Sequence, residues 1–166
     1  LEDRILLGKL DIKDIVWKST LKDEIRNEEK RGKPRSFRIS RIHLQVLTKK
    51  YFGKFVENVL LNRDNNQIMV GCNPFKDWVK MHAKIQLCDL HWACDITNYD
   101  GKMLPQFQQV LNDVVISLFK GVNSDIPLFL LEIMPYCFVA MNDDVFLTTH
   151  SMPSGSFLTA IFNSLI

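Results

Sequence analysis

The chain has 166 residues, of which 46% are hydrophobic and 24% charged, with a formal net charge of +2. That length suits one domain or part of a larger one, and the composition excludes disordered, collagen-like and low-complexity chains. No apolar run reaches the roughly 20 residues of a membrane span, and nothing resembles a signal peptide. The four cysteines, at 72, 88, 94 and 137, form no CxxC pair and read as reduced thiols, which suits a cytosolic compartment.

Residues 1–17 read as a mixed lead-in that is part helix. Lys18 to Lys50 carries eleven basic residues against four acids, a local balance of +7 against −5 for the remainder. A basic arm in an otherwise mildly acidic chain suits phosphate contact or an ordinary solvated face. Gly32 and Pro34 mark a turn, and Arg35 to Ile39 alternates as an extended stretch. Leu44, Leu47, Tyr51, Phe55, Val59 and Leu60 predict a helix over 40–61, with Gly53 as its weak point. A polar turn spans 62–67, a short strand running into a turn covers 69–74, and a helix starts at Phe75. Leu87 to Ile96 is expected to be a strand, with Ala93 and Asp95 on one face. A helix over 104–122 follows, with Pro105 in its first turn and an expected buried stripe of Phe107, Val110, Leu111, Val114, Leu118 and Phe119. Asp125 to Met134 reads as helix, Cys137–Met141 and Val145–Thr149 as a hairpin, and Ser156 to Ile166 as helix. The chain stops inside that helix without a stop signal, so it is expected to be a piece of a longer protein, truncated at both ends.

Three constellations carry chemistry. Asp95-Ile96-Thr97-Asn98-Tyr99-Asp100 brings a carboxylate to the end of an apolar segment and a second one through a turn. A divalent cation offsets such charge, and Mg²⁺ favours one or two carboxylates plus phosphate oxygens and water. In the second, Ser154 precedes a helix carrying Thr159 and Asn163, which share a face at i and i+4. Uncharged hydroxyls and amides both donate and accept, which suits reading sugar hydroxyls. In the third, Lys22-Asp23-Glu24-Ile25-Arg26 and Lys30-Arg31-Gly32-Lys33-Pro34-Arg35 can clamp a triphosphate. Taken singly, each has a plain structural reading: a capped turn, a capped helix, a solvated face. The four histidines show no zinc spacing, and there is no nucleophile elbow, Walker loop or dinucleotide fingerprint.

In order and spacing these motifs resemble the RNA-dependent RNA polymerases of positive-strand RNA viruses, most closely the picornavirus-like group. The string Lys22 to Arg26 with Gly32-Lys33-Pro34-Arg35 is similar to the family's basic fingers motif F. Val70-Gly71-Cys72-Asn73-Pro74, with Trp78, resembles its Gly-Cys-Asp-Pro segment, Asn73 standing in place of the acid. Asp95 to Asp100 resembles motif A. Pro153-Ser154-Gly155, Thr159 and Phe162-Asn163-Ser164 resemble motif B. The likeness covers 21–166.

The resemblance implies an α+β fold, a fingers and palm fragment of the right-hand polymerase with helices packed on a partly antiparallel palm sheet. Residues 1–86 would be the fingers portion, with the basic segment at about 18–41 on the nucleotide path. Residues 87–166 would be the palm portion, with motif A at 95–100 and motif B at 152–166. The implied reaction is template-directed transfer of a ribonucleoside monophosphate to an RNA 3′-OH with two metal ions, Mg²⁺ or Mn²⁺, for viral genome replication. Asp95 would be the catalytic metal ligand. Asp100, Ser154 and Asn163 would read the ribose, with Thr159 supporting and Gly155 letting the loop flex. Lys22, Arg26 and Arg35 would hold triphosphate. RNA template, primer and ribonucleoside triphosphates are the implied partners, with other viral replication proteins. The implied place is the host cytoplasm, at membrane-associated replication complexes. The family's Gly-Asp-Asp motif and thumb are absent; Asn142-Asp143-Asp144 lies between motifs A and B and fits a hairpin turn. The piece by itself is therefore expected not to polymerise RNA. The rivals are an inactive polymerase-derived RNA-binding module or endogenous remnant and, disfavoured by the Asp100/Asn163 pair, a reverse transcriptase.

Overall fold

The structure, a computed structural model, describes residues 1–25, 27–28, 32, 35–119 and 123–166. Glu2–Leu6 (α1) and Ile12–Ile15 (α2) lead into strand β1, Trp17–Leu21. Asp11 caps α2 in a reciprocal box with Asp14, and Arg4 pairs with Asp14. The Asp11 N–H, followed by the charge of Arg4, holds the Asp14 carboxyl below its ordinary range. β1 pairs antiparallel with β2, Ser36–Ser40, from Trp17↔Ser40 to Leu21↔Ser36. The Lys22 N–H donates to the Arg35 carbonyl at 2.8 Å and carries the pairing one residue further. The other edge of β1 pairs parallel with β3, Phe138–Met141, which turns through Asn142 and Asp143 into antiparallel β4, Asp144–Leu147. Asn142 sits at φ 54°, the left-handed conformation such a two-residue turn needs. The sheet order is β2-β1-β3-β4. The sheet joins strands from both sides of residue 86.

Helix α3, Ile42–Leu61, buries Leu44, Leu47, Phe52 and Val56. They pack in one cluster with Leu111 and Val115 of α7 (Pro105–Ser117), Leu130 and Leu131 of α8 (Asp125–Glu132), and Ile161 and Phe162 of α9 (Thr159–Leu165). Phe52 meets Phe119 edge-on at 5.5 Å. Gly53 does not break α3. A glycine there costs about 1 kcal/mol of helix propensity, which burial of neighbouring Phe52 outweighs.

Several expectations change. The 62–67 turn holds a short helix, α4 (Arg63–Asn66). Residues 69–74 form a turn rather than a strand, with Gly71 at φ 71°. Asn73 then caps α5, Pro74–Ile85, by accepting from the Phe75 N–H at 3.0 Å. Helix α7 is rotated from the expected orientation. Its apolar residues occupy more than one side, so periodicity alone does not select a face. Leu111 and Val115 face the core together with buried Gln108 and Asn112, which bond each other at 3.0 Å. Phe107, Val110, Val114 and Leu118 are exposed instead.

The largest departure is 87–96, which forms no strand. An apolar stretch of this kind needs neighbours on both edges, and among the described residues none pairs with it. Leu90 is 72% exposed and Trp92 88% exposed.

Candidate active site

A cleft of about 660 Å³ opens between β2, the turn after 96, and the loop before α9. Arg35, Arg38, Asp95, Asp100, Ser154 and Asn163 all line it. Five of these are residues expected from sequence, and they come from three separate stretches of chain. A neighbouring cavity of about 570 Å³ shares Asp95, Tyr99 and Asn163 but is walled by Met103, Leu104, Phe107 and Ile166. Asp95 and Asn163 therefore stand where a polar space meets an apolar one.

Asp95 is exposed, two residues before the turn at 97–98. Asn98 turns the chain at φ 56° into α6, Tyr99–Lys102. That turn presents Asp100 to α9, where Asn163 Nδ2 donates to Asp100 Oδ1 at 2.5 Å. Among the described residues, buried Asn163 Oδ1 has no hydrogen-bond partner. The amide thus spends one N–H on Asp100 and keeps an acceptor beside the cleft. Burial, then the Asp100 charge, pushes the Tyr99 hydroxyl above its ordinary pKa.

The loop before α9 is tightly closed. Thr159 is buried, and its hydroxyl donates to the Pro153 carbonyl at 2.5 Å. It lines neither cavity. Its hydroxyl is turned into the loop, where the Pro153 carbonyl lies within reach of the first residue of α9. The Ser156 N–H reaches the same Pro153 carbonyl at 2.9 Å. Ser154 is left exposed on the cleft. At Gly155 an added Cβ would lie 1.8 Å from the Arg38 carbonyl oxygen, so its missing side chain serves close approach of loop to strand.

On the basic side, Glu24 Oε2 lies 3.4 Å from Lys22 Nζ and 3.8 Å from Arg35 Nη1. One carboxylate thus gathers two of the expected triphosphate cations. Lys22 and Arg35 are substantially exposed, so the pairs are weak and exchangeable. Arg26, like Lys30, Arg31, Lys33 and Pro34, lies outside the described residues. Among the described residues no group of three or more His, Cys, Asp or Glu side chains could hold a metal ion. No helix among them is long and apolar enough to cross a membrane.

Sequence reasoning passed over Glu24, Arg38 and Ser151. Glu24 was legible as an acid inside a basic run. Arg38 and Ser151 meet only through the fold, 113 positions apart, and no local signal marks the pair.

The family model described as viral RNA-dependent RNA polymerase matches residues 2–166. The replicase polyprotein of Cricket paralysis virus is 34% identical over 170 residues, covering 93% of this chain and 10% of the relative. The genome polyprotein of Human rhinovirus 1B is 31% identical over 156 residues, covering 92% of this chain and 7% of the relative. A solved structure, Sicinivirus 3Dpol RNA dependent RNA polymerase, superposes with a TM-score of 0.74 at 17% identity, over 93% of this chain and 36% of that one. The chain thus spans about a tenth of the polyproteins it matches and about a third of that polymerase. Its four-stranded mixed sheet with packed helices agrees with the expected α+β fingers and palm fragment. The chain belongs to the viral RNA-dependent RNA polymerase family.

Proposed function

We propose that this chain is the part of an RNA-directed RNA polymerase that receives the incoming ribonucleotide and one catalytic metal ion. The observation that carries the reading is the cleft itself. Asp95, the Asp100–Asn163 pair with its spare acceptor, and Arg35 all line one space large enough for a nucleotide. A ribose 2′-OH is a donor of the kind that Asn163 Oδ1 lacks, and it is the group that separates RNA from DNA precursors. Arg35 and Lys22 hold triphosphate oxygens, displacing the weak pairing to Glu24.

The residues fit a metal ion in part. Asp95 offers one exposed carboxylate to the cleft, while Asp100 is engaged by Asn163. One such carboxylate, with phosphate oxygens and water, suits Mg²⁺ or Mn²⁺. A bound ion there would activate the 3′-OH and offset charge developing at phosphorus. The two-metal reaction would also need a second carboxylate near Asp95. The reaction joins the RNA 3′-oxygen to the α-phosphorus and releases pyrophosphate, in line. Asp100 and Asn163 orient the sugar, and Arg35 steadies the leaving pyrophosphate.

In this reading 1–86 serve as fingers and 87–166 as palm, two roles on one packed core. Template and primer RNA follow the basic arm, and the whole protein works with other replication proteins on cytoplasmic membranes. The test is primer extension with the full-length polymerase. Asp95→Asn is expected to lower incorporation by about a thousandfold or more, equivalent to roughly 4 kcal/mol. Full activity of that variant would remove the metal assignment. RNA binding without metal-dependent turnover in the unsubstituted protein would favour a non-catalytic module.

A further inference from the structure

Arg38 occupies the centre of β2 and was assigned no role by the sequence motifs. Its Nη1 donates to Ser151 Oγ at 2.7 Å and lies 3.8 Å from Cys137 Sγ. Its own carbonyl oxygen is the atom against which Gly155 is pressed. One residue of the strand thus touches the loop before α9 at both ends, by side chain at 151 and by backbone at 155.

Ser151 needs such a hold. It is buried at φ 109°, a backbone region that side chains other than glycine rarely adopt. Nothing in its own chemistry favours that conformation without an outside anchor. The next contacts lead directly to the site. The Ser151 N–H donates to the Met103 carbonyl at 3.3 Å, and the Met152 N–H donates to the Asp100 carbonyl at 2.9 Å. Asp100 in turn accepts from Asn163. A connected path therefore runs from Arg38 through the strained residue to the backbone of Asp100.

We propose that Arg38 is a positioning residue for sugar selection. Its guanidinium holds Ser151 in the left-handed conformation, and this fixes the 151–155 loop against the Asp100–Asn163 pair. The inference rests on the reading of the cleft as a ribonucleotide site. It differs from a second triphosphate contact, the role an arginine on this cleft would otherwise take.

The two roles separate in a double-mutant cycle on the full-length polymerase, using Arg38→Met, Ser151→Gly and the combination. Glycine adopts the strained region without an anchor, so it removes the need for Arg38. In the native background, Arg38→Met is expected to reduce the preference for NTP over 2′-deoxy-NTP, as a ratio of kcat/KM, by about tenfold. Combined with Ser151→Gly, the same substitution is expected to change that ratio by less than about threefold. Arg38→Lys keeps a donor at the same place and restores part of the preference. An equal loss in both backgrounds, or an equal loss for both kinds of triphosphate, overturns the proposal in favour of a phosphate contact. No loss at all overturns it outright.

Hydrogen exchange at the Met152 amide gives a readout that needs no turnover. Arg38→Met is expected to speed its exchange by about tenfold or more, and adding Ser151→Gly to reverse most of that change. Unchanged exchange would overturn the proposal even in an inactive protein, whereas failure of the unsubstituted protein to extend any primer would remove the polymerase reading alone. If Arg38→Met does not fold, Ser151→Ala removes the acceptor from the other side and is expected to reproduce both effects; native behaviour of that variant is equally fatal.

Discussion

Residues 87–96 and 151–163 both deliver functional side chains to the same cleft, yet they are held in opposite ways. The second stretch is fixed by contacts inside the chain: Thr159 on Pro153, Ser151 on Arg38, Met152 on Asp100, and Phe162 and Leu158 in the core. The first has apolar side chains in solvent and no ladder among the described residues. Asn163 is therefore placed by its own helix and loop, whereas Asp95 hangs from a segment that pairs with no strand among the described residues. In the proposed reading, ribose recognition is thus a local property of this chain. Metal binding, in the same reading, would depend on what packs beside Asp95.

Hydrogen exchange gives the largest contrast. In the isolated chain, amides of 88–96 are expected to exchange at nearly unfolded rates. In the full-length polymerase they are expected to slow by about a thousandfold or more, as a strand between two others should. Amides of α9 are expected to change much less. Equal protection of both stretches in the isolated chain would end the distinction.

Gly155 sharpens the other side of the comparison. Because a Cβ there would lie 1.8 Å from a backbone carbonyl, the loop or β2 must move to admit it. Gly155→Ala is expected to destabilise the protein by about 2–3 kcal/mol, read by thermal or urea unfolding. A neutral effect would mean that the loop is not tied to the strand in solution.

How legible each region was follows from the same division. Motif spacing located Asp95, Asp100, Ser154 and Asn163, and all four line the cleft. β2 and the β3–β4 hairpin were legible from alternation and the Asn142-Asp143 turn, whereas β1 lay unmarked in a polar, basic stretch and shows as a strand only through its pairing with β2 and β3. Alternation also marked 87–96 as a strand, but a strand exists only with partners, and sequence pattern does not supply them. Periodicity likewise found helix α7 without its orientation. Its exposed Phe107, Val110, Val114 and Leu118 form an equally good stripe, and the choice of face was made by α3 and α8. Arg38 was invisible because its partner is 113 residues away.

Asn163 is the next test in size. Asn163→Ala removes both the donor to Asp100 and the spare acceptor. The preference for ribonucleotides over 2′-deoxyribonucleotides is expected to fall by about 10- to 100-fold, since one buried hydrogen bond to a sugar hydroxyl is worth roughly 1–3 kcal/mol. The loss should appear mainly as improved use of the deoxy substrate relative to the natural one. An unchanged ratio would remove the ribose assignment while leaving that of Asp95 standing.

The smallest expected effect concerns Asn73, which occupies the acid position of the family's Gly-Cys-Asp-Pro segment. Its side chain caps α5 through the Phe75 N–H, and its own N–H donates to Asp77 Oδ2 at 2.6 Å. Asp and Asn are equally good at an N-cap, and a negative charge there gains from the helix dipole. A new carboxylate would also stand near Asp77, which pairs with Arg63 at 3.4 Å. These exposed terms oppose each other, so Asn73→Asp is expected to shift stability by no more than about 0.5 kcal/mol, against about 1 kcal/mol lost with Asn73→Ala. Unfolding midpoints of the two variants decide the matter. If the acid proved much better than asparagine, the position would have a role beyond capping; equal values would confine it to holding the start of α5.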